Sequence, residues 1–164
     1  MKEHRTIDAL RSSWTSSDLL VGKEIFDLVP PTEHPTWAAN VLAFCTIVLP
    51  PIPECLAVIV IGRTPDRWLD AHSAFRAVRR LSLHPDYQPD NRQDALLMIA
   101  ETAAKVIYNA SGGSAPFDEH SGWRMAPRLR TLVDQIGEPE FEESAWHVLT
   151  DIVVAEKNNA EAIS

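Results

Sequence analysis

Cysteine is scarce in this chain of 164 residues: the two present, Cys45 and Cys55, both sit in apolar sequence, where they read as small buried hydrophobes that stay reduced, and they build no disulfide framework. Glycine is scarce too, at six. No glycines fall at the spacing of a dinucleotide fold, and Gly112-Gly113 is not followed by the lysine and hydroxyl of a phosphate-binding loop. Positive charge is outweighed, with 15 Lys and Arg against 23 Asp and Glu and a formal net charge of −8. Such an acidic chain repels phosphate backbones, which disfavours nucleic acid as a general partner.

Long apolar runs are absent as well. The nearest approach, Val41 to Ile61, is interrupted by Pro50, Pro51, Pro53 and Glu54. Prolines break the helical hydrogen-bond ladder and a carboxylate is expensive in hydrocarbon, so two short buried elements are expected rather than a membrane span. After Met1-Lys2-Glu3-His4-Arg5 no apolar stretch resembles a signal peptide, and a cytoplasmic protein is expected. Without a secretory route the sequon Asn109-Ala110-Ser111 has no consequence.

What is present suits one packed core. With 45% hydrophobic and 23% charged residues, the chain is near the globular average, and residues 1–164 are read as a single domain. Ile7, Leu10 and Trp14 recur at helical spacing. Ser16-Ser17-Asp18 offers caps for a helix to about Leu28, and Thr36 for another from Trp37 to Leu49. Thr64-Pro65-Asp66 reads as a helix start, followed by inward-facing Trp68, Ala71, Phe75 and Val78. Arg76, Arg79 and Arg80 then gather where positive charge suits the end of that helix. Asp90 caps a central helix to about Tyr108, and Ser111 to Pro116 forms a flexible loop. Two amphipathic helices follow, on Met125, Leu129, Leu132, Val133 and Ile136, and on Phe141, Ala145, Val148, Leu149 and Ile152. Gly137-Glu138-Pro139 between them supplies a stop and a restart, so an antiparallel αα-hairpin is expected, with a frayed polar tail beyond Lys157. The run Cys55 to Ile61 is rich in β-branched residues and fits strand or helix. No other segment offers a comparable pairing partner, which favours helix. The expected fold class is all-α, a single-domain multi-helix bundle with a C-terminal antiparallel αα-hairpin.

Candidate chemistry is thin. Glu33-His34-Pro35-Thr36-Trp37 and Glu119-His120-Ser121-Gly122-Trp123 share the pattern Glu-His-x-x-Trp, each ahead of an expected helix. If the two met in space, His34, Glu119 and His120 would furnish a metal or acid–base site, the basis for a small hydrolase or metal-dependent enzyme. Against this, polar residues are common where loops enter helices, and the six histidines form no metal-binding spacing. Asp86, Asp90 and Asp94 do not match an EF-hand loop, and helix-start acids need no ion to explain them. No metal or cofactor is expected.

The segment Asp118 to Arg124 adjoins the flexible loop and places Asp118, Glu119, His120, Trp123 and Arg124 together: charge, a titratable ring and an aromatic anchor. These five are the expected binding residues. The expected function is protein–protein interaction, with another protein or with a second copy in a homo-oligomer, rather than catalysis.

Overall fold

The computed structural model describes residues 6–114 and 116–163, with side chains as far as Val154; Met1 to Arg5 lie outside the described residues. The chain is all-helical there: α1 (Ile7–Ser12), α2 (Leu19–Leu28), α3 (His34–Thr46), α4 (Pro53–Gly62), α5 (Ala71–Ser82), α6 (Asn91–Ala110), α7 (Met125–Ile136) and α8 (Pro139–Ile163). Three 3₁₀ turns, Pro31–Glu33, Pro65–Asp70 and Ser121–Arg124, lead into α3, α5 and α7. None of the described helices is long and apolar enough to cross a membrane.

The axis of the molecule is α6. Asp90 and Gln93 start it with a reciprocal capping box, Gln93 N–H donating to Asp90 Oδ1 at 2.8 Å and Asp90 N–H to Gln93 Oε1 at 3.1 Å. Leu96, Leu97, Ile99, Ala100, Ala103, Ala104 and Ile107 are buried around it, and the alanines let neighbours come close. Helices α3, α4, α5 and α7 all pack on it. Tryptophans tie the shell together. Trp14 Nε1 donates to Ala126 O of α7 at 2.8 Å, Trp37 Nε1 to Leu149 O of α8 at 2.8 Å, and Trp68 Nε1 to Gly62 O at the end of α4 at 3.2 Å.

Residues Cys55 to Ile61 lie in α4, which Pro53 begins. With no strand among the described residues to complete a ladder, the backbone closes its hydrogen bonds locally. Cys55, Val58, Ile59 and Ile61 face the core, while Leu56 and Val60 remain exposed. Cys45 and Cys55 are free and buried; burial raises both thiols, that of Cys55 to about 12.

Several expected boundaries move. Helix α3 begins at His34, two residues before Thr36, because Pro35 is preshaped for a first turn. Thr64 is no cap: its hydroxyl donates back to Val60 O at 2.8 Å, and the residues after it form a 3₁₀ turn before α5. The backbone of α8 continues to Ile163, past the point where a frayed tail was expected. Between α7 and α8, Gly137 takes a φ of 70°, which favours glycine, and its N–H donates to Val133 O at 2.9 Å. The two helices touch, with Arg130 of α7 donating to Glu142 Oε1 of α8 at 2.6 Å.

One buried side-chain polar atom among the described residues has no partner, the hydroxyl of Tyr87. An unpaired buried hydroxyl carries its desolvation cost with no bond to offset it. Tyr87→Phe is therefore expected to raise stability by about 1 kcal/mol, or roughly 2–4 °C in melting temperature. A melting temperature below that of the parent protein would refute this.

Candidate functional site

The Glu-His-x-x-Trp segments meet around one side chain, Phe26 of α2. His34 stacks on it with ring centroids 3.9 Å apart and 22° between planes, and Trp37 stands 5.9 Å from it. From the second segment, Gly122 lies so close that a Cβ there would stand 2.2 Å from Phe26 Cε2. A glycine at 22 in α2 lets the same turn approach from below, against the carbonyl of Trp123.

His34 has a structural task. Its Nε2 lies 3.0 Å from Val29 O, so this nitrogen carries the proton and donates to the chain leaving α2. Burial lowers its pKa, opposed by the Val29 and Phe26 carbonyls and by Asp27. The neutral ring is favoured.

Asn109, near the end of α6, clasps the following loop with both ends of its amide. Phe117 N–H donates to Asn109 Oδ1 at 2.8 Å, and Asn109 Nδ2 donates to Asp118 O at 3.2 Å. Phe117 is thereby seated among Phe75, Tyr108 and His72, with centroids 4.7, 5.5 and 5.6 Å away. Asp118 closes the next turn, its Oδ1 accepting from His120 N–H at 2.9 Å and its carbonyl from Ser121 Oγ at 2.7 Å. That His120 N–H, aided by the charges of His120 and Arg124, holds the Asp118 carboxyl below its ordinary pKa.

Between the end of α2, the end of α6 and this loop lies a cleft of about 790 Å³. Phe26, Trp68, Val106 and Phe117 supply apolar lining, and His34, Asn109 and Glu119 supply polar groups. The size falls within the range of ligand sites.

The five expected binding residues divide among three directions. Glu119 lines the cleft, with its side chain 85% exposed. His120 does not line the cleft: its ring packs on Trp123, centroids 3.9 Å apart, its Nε2 lies 3.5 Å from Glu119 Oε1, and Lys23 Nζ lies 5.5 Å from the Trp123 ring centroid. Asp118 and Arg124 pair at 3.6 Å. Asp118, Glu119 and His120 are exposed, whereas Trp123 and Arg124 are half-buried. No side chain caps α7; Asp118 instead closes the preceding turn by accepting from His120 N–H.

No protein-family model, curated protein or solved structure matches this chain. Of the residues considered for catalysis, His34 and Glu119 share the cleft and His120 does not line it. Among the described residues, no group of three His, Cys, Asp or Glu side chains is placed to hold a metal ion. Sequence reasoning missed Phe26, Trp68, Val106 and Phe117, which look like ordinary core positions. The repeated Glu-His-x-x-Trp pattern and the segment Asp118 to Arg124 were the signals pointing to this place.

Proposed function

We propose that this is a binding domain that receives a segment of another protein, whose bulky apolar side chain enters the cleft between α2, α6 and the loop ahead of α7. The observation that carries this reading is the cleft itself, apolar within and bordered by exposed Glu119. An aromatic or aliphatic anchor buried in such a pocket, with polar groups around it, is the usual core of a protein–protein contact. The exposed Asp118 and His120 and the half-buried Trp123 and Arg124 would form the surrounding rim. Two free, buried thiols support a reducing, cytoplasmic setting.

A catalytic reading draws support from one fact, the shared lining of His34 and Glu119. It asks His34 to exchange a proton while its Nε2 is held by Val29 O. The binding reading asks for no such release.

Selection of peptides from a random display library on the full chain tests the proposal. Enriched peptides are expected to share a bulky apolar residue. Their affinity should fall roughly tenfold or more on Ala110→Trp, which places a large ring at the cleft, the equivalent of about 1.4 kcal/mol. The double variant His120→Ala/Arg124→Ala should also weaken them while leaving the melting temperature nearly unchanged. No enrichment, or binding indifferent to Ala110→Trp, would overturn the proposal.

A further inference from the structure

One face of α6 carries Met98, Glu101, Thr102, Lys105 and Asn109 at helical spacing. Arg128 reaches it from α7, its Nη1 3.1 Å from Met98 O and hydrogen-bonded to Thr102 Oγ1. One turn further on, Lys105 Nζ lies 5.3 Å from the ring centroid of Phe75, on α5, and 5.9 Å from that of Phe117. Beyond that, Asn109 holds the Asp118 carbonyl, and Asp118 faces Arg124. Burial and the nearby charges of Arg128, Arg124 and Arg79 lower the Lys105 pKa, with Glu101 opposing them.

On α5, Ser82 Oγ lies 3.5 Å from Glu101 Oε1 and Phe75 lies under Lys105, so Arg79 between them borders the same face. Arg79, Lys105, Arg124 and Arg128 stand there with two carboxylates, Glu101 and Asp118, which leaves two positive charges unmatched in a chain of net charge −8. Among the described residues, Arg79, Lys105 and Arg128 form no ion pair. Gathering like charges beside a half-buried ammonium costs stability, and packing alone does not require it. A bound anion would reverse that cost.

We propose that this basic face of α6, flanked by α5 and α7, binds a dianion of the phosphate class, with Lys105 and Arg79 as its principal ligands and Arg124 and Arg128 flanking them. Two negative charges match the two unmatched positive ones, and ammonium and guanidinium donors suit the oxygens of such an ion. A long polyanion would meet the acidic remainder of the surface. The principal ligands, Lys105 and Arg79, do not line the cleft; the two places share Asn109 and the loop from Phe117 to Arg124.

Titration of the full chain with inorganic phosphate and pyrophosphate at constant ionic strength, followed by amide NMR shifts, tests it. Saturable shifts are expected in residues 75–82, 101–109 and 117–128, with none from chloride. Lys105→Gln and Arg79→Gln should each weaken binding about tenfold, as expected for a charge-assisted bond. Arg67→Gln, removed from this face and paired with Asp70 at 3.2 Å, should leave it unchanged. Ala110→Trp should leave phosphate binding intact while blocking the cleft, which separates failure of one site from failure of the other. A phosphoserine peptide that binds more tightly than free phosphate would place the anion on a protein partner; equal affinity would indicate the free ion. Absence of saturable shifts, or undiminished binding in both the Lys105 and Arg79 variants with parental melting temperatures, would overturn the proposal.

Discussion

Replacing Gly22 with alanine is expected to lower stability by about 3 kcal/mol, at the upper end of overpacking costs, and the melting temperature by roughly 10 °C. The sign is informative because helix propensity points the other way. Alanine in a helix interior is normally favoured over glycine by about 1 kcal/mol. Here the new Cβ would stand 1.8 Å from the carbonyl oxygen of Trp123 and 2.9 Å from its carbon, both backbone atoms that no rotamer change can move aside. The 3₁₀ turn Ser121–Arg124 must shift away from α2, carrying Gly122 off the Phe26 ring and disturbing the cleft wall. Gly137 makes the contrast. Its φ of 70° explains the glycine, and the space around it is open, so Gly137→Asn should cost under about 1 kcal/mol. Chemical denaturation of both variants decides the matter, and a Gly22→Ala protein as stable as the parent would refute the close contact.

Trp37→Ala is expected to cost still more, about 4 kcal/mol. Trp37 is 1% exposed, packs near Phe26, and spans from α3 to α8 through its bond to Leu149 O. Truncation would leave a cavity among rigid neighbours and remove the cross-helix bond together. Trp37→Phe separates the two losses: it keeps most of the ring volume and discards the donor, so about 1–2 kcal/mol is expected from the bond and the residual void. Equal destabilisation by both substitutions would show that the hydrogen bond, rather than the ring, holds α8 in place.

How much of the site could be read in advance depends on the distance over which its parts converge. Asp118 to Arg124 stood out because acids, a histidine, a tryptophan and a flexible neighbour are adjacent in the chain, a local property. Their division among the cleft, the His120–Trp123 stack and the Arg124 pair follows from the path of the 3₁₀ turn, which no residue type announces. Asn109 illustrates the limit. As a sequon it had no meaning, while in the fold its amide holds the loop through Phe117 and Asp118. Arg79 likewise read as a charge complementing the end of α5, and only the packing of α5 and α7 on α6 gathers it with Lys105, Arg124 and Arg128.

Sequence alone determined the all-helical class, because periodicity and the caps at Asp18 and Asp90 act within a few residues and satisfy backbone groups locally. For Cys55 to Ile61 the sequence left strand and helix both open and only leaned to helix for want of a pairing partner; the fold places that run in α4. Tertiary structure decided the rest. The cleft arises from residues as far apart as Phe26 and Phe117, and the need for glycine at 22 comes from a carbonyl a hundred residues away, about 100 by the numbering. Close packing among distant elements sets such requirements, and local propensity at Gly22 points the opposite way.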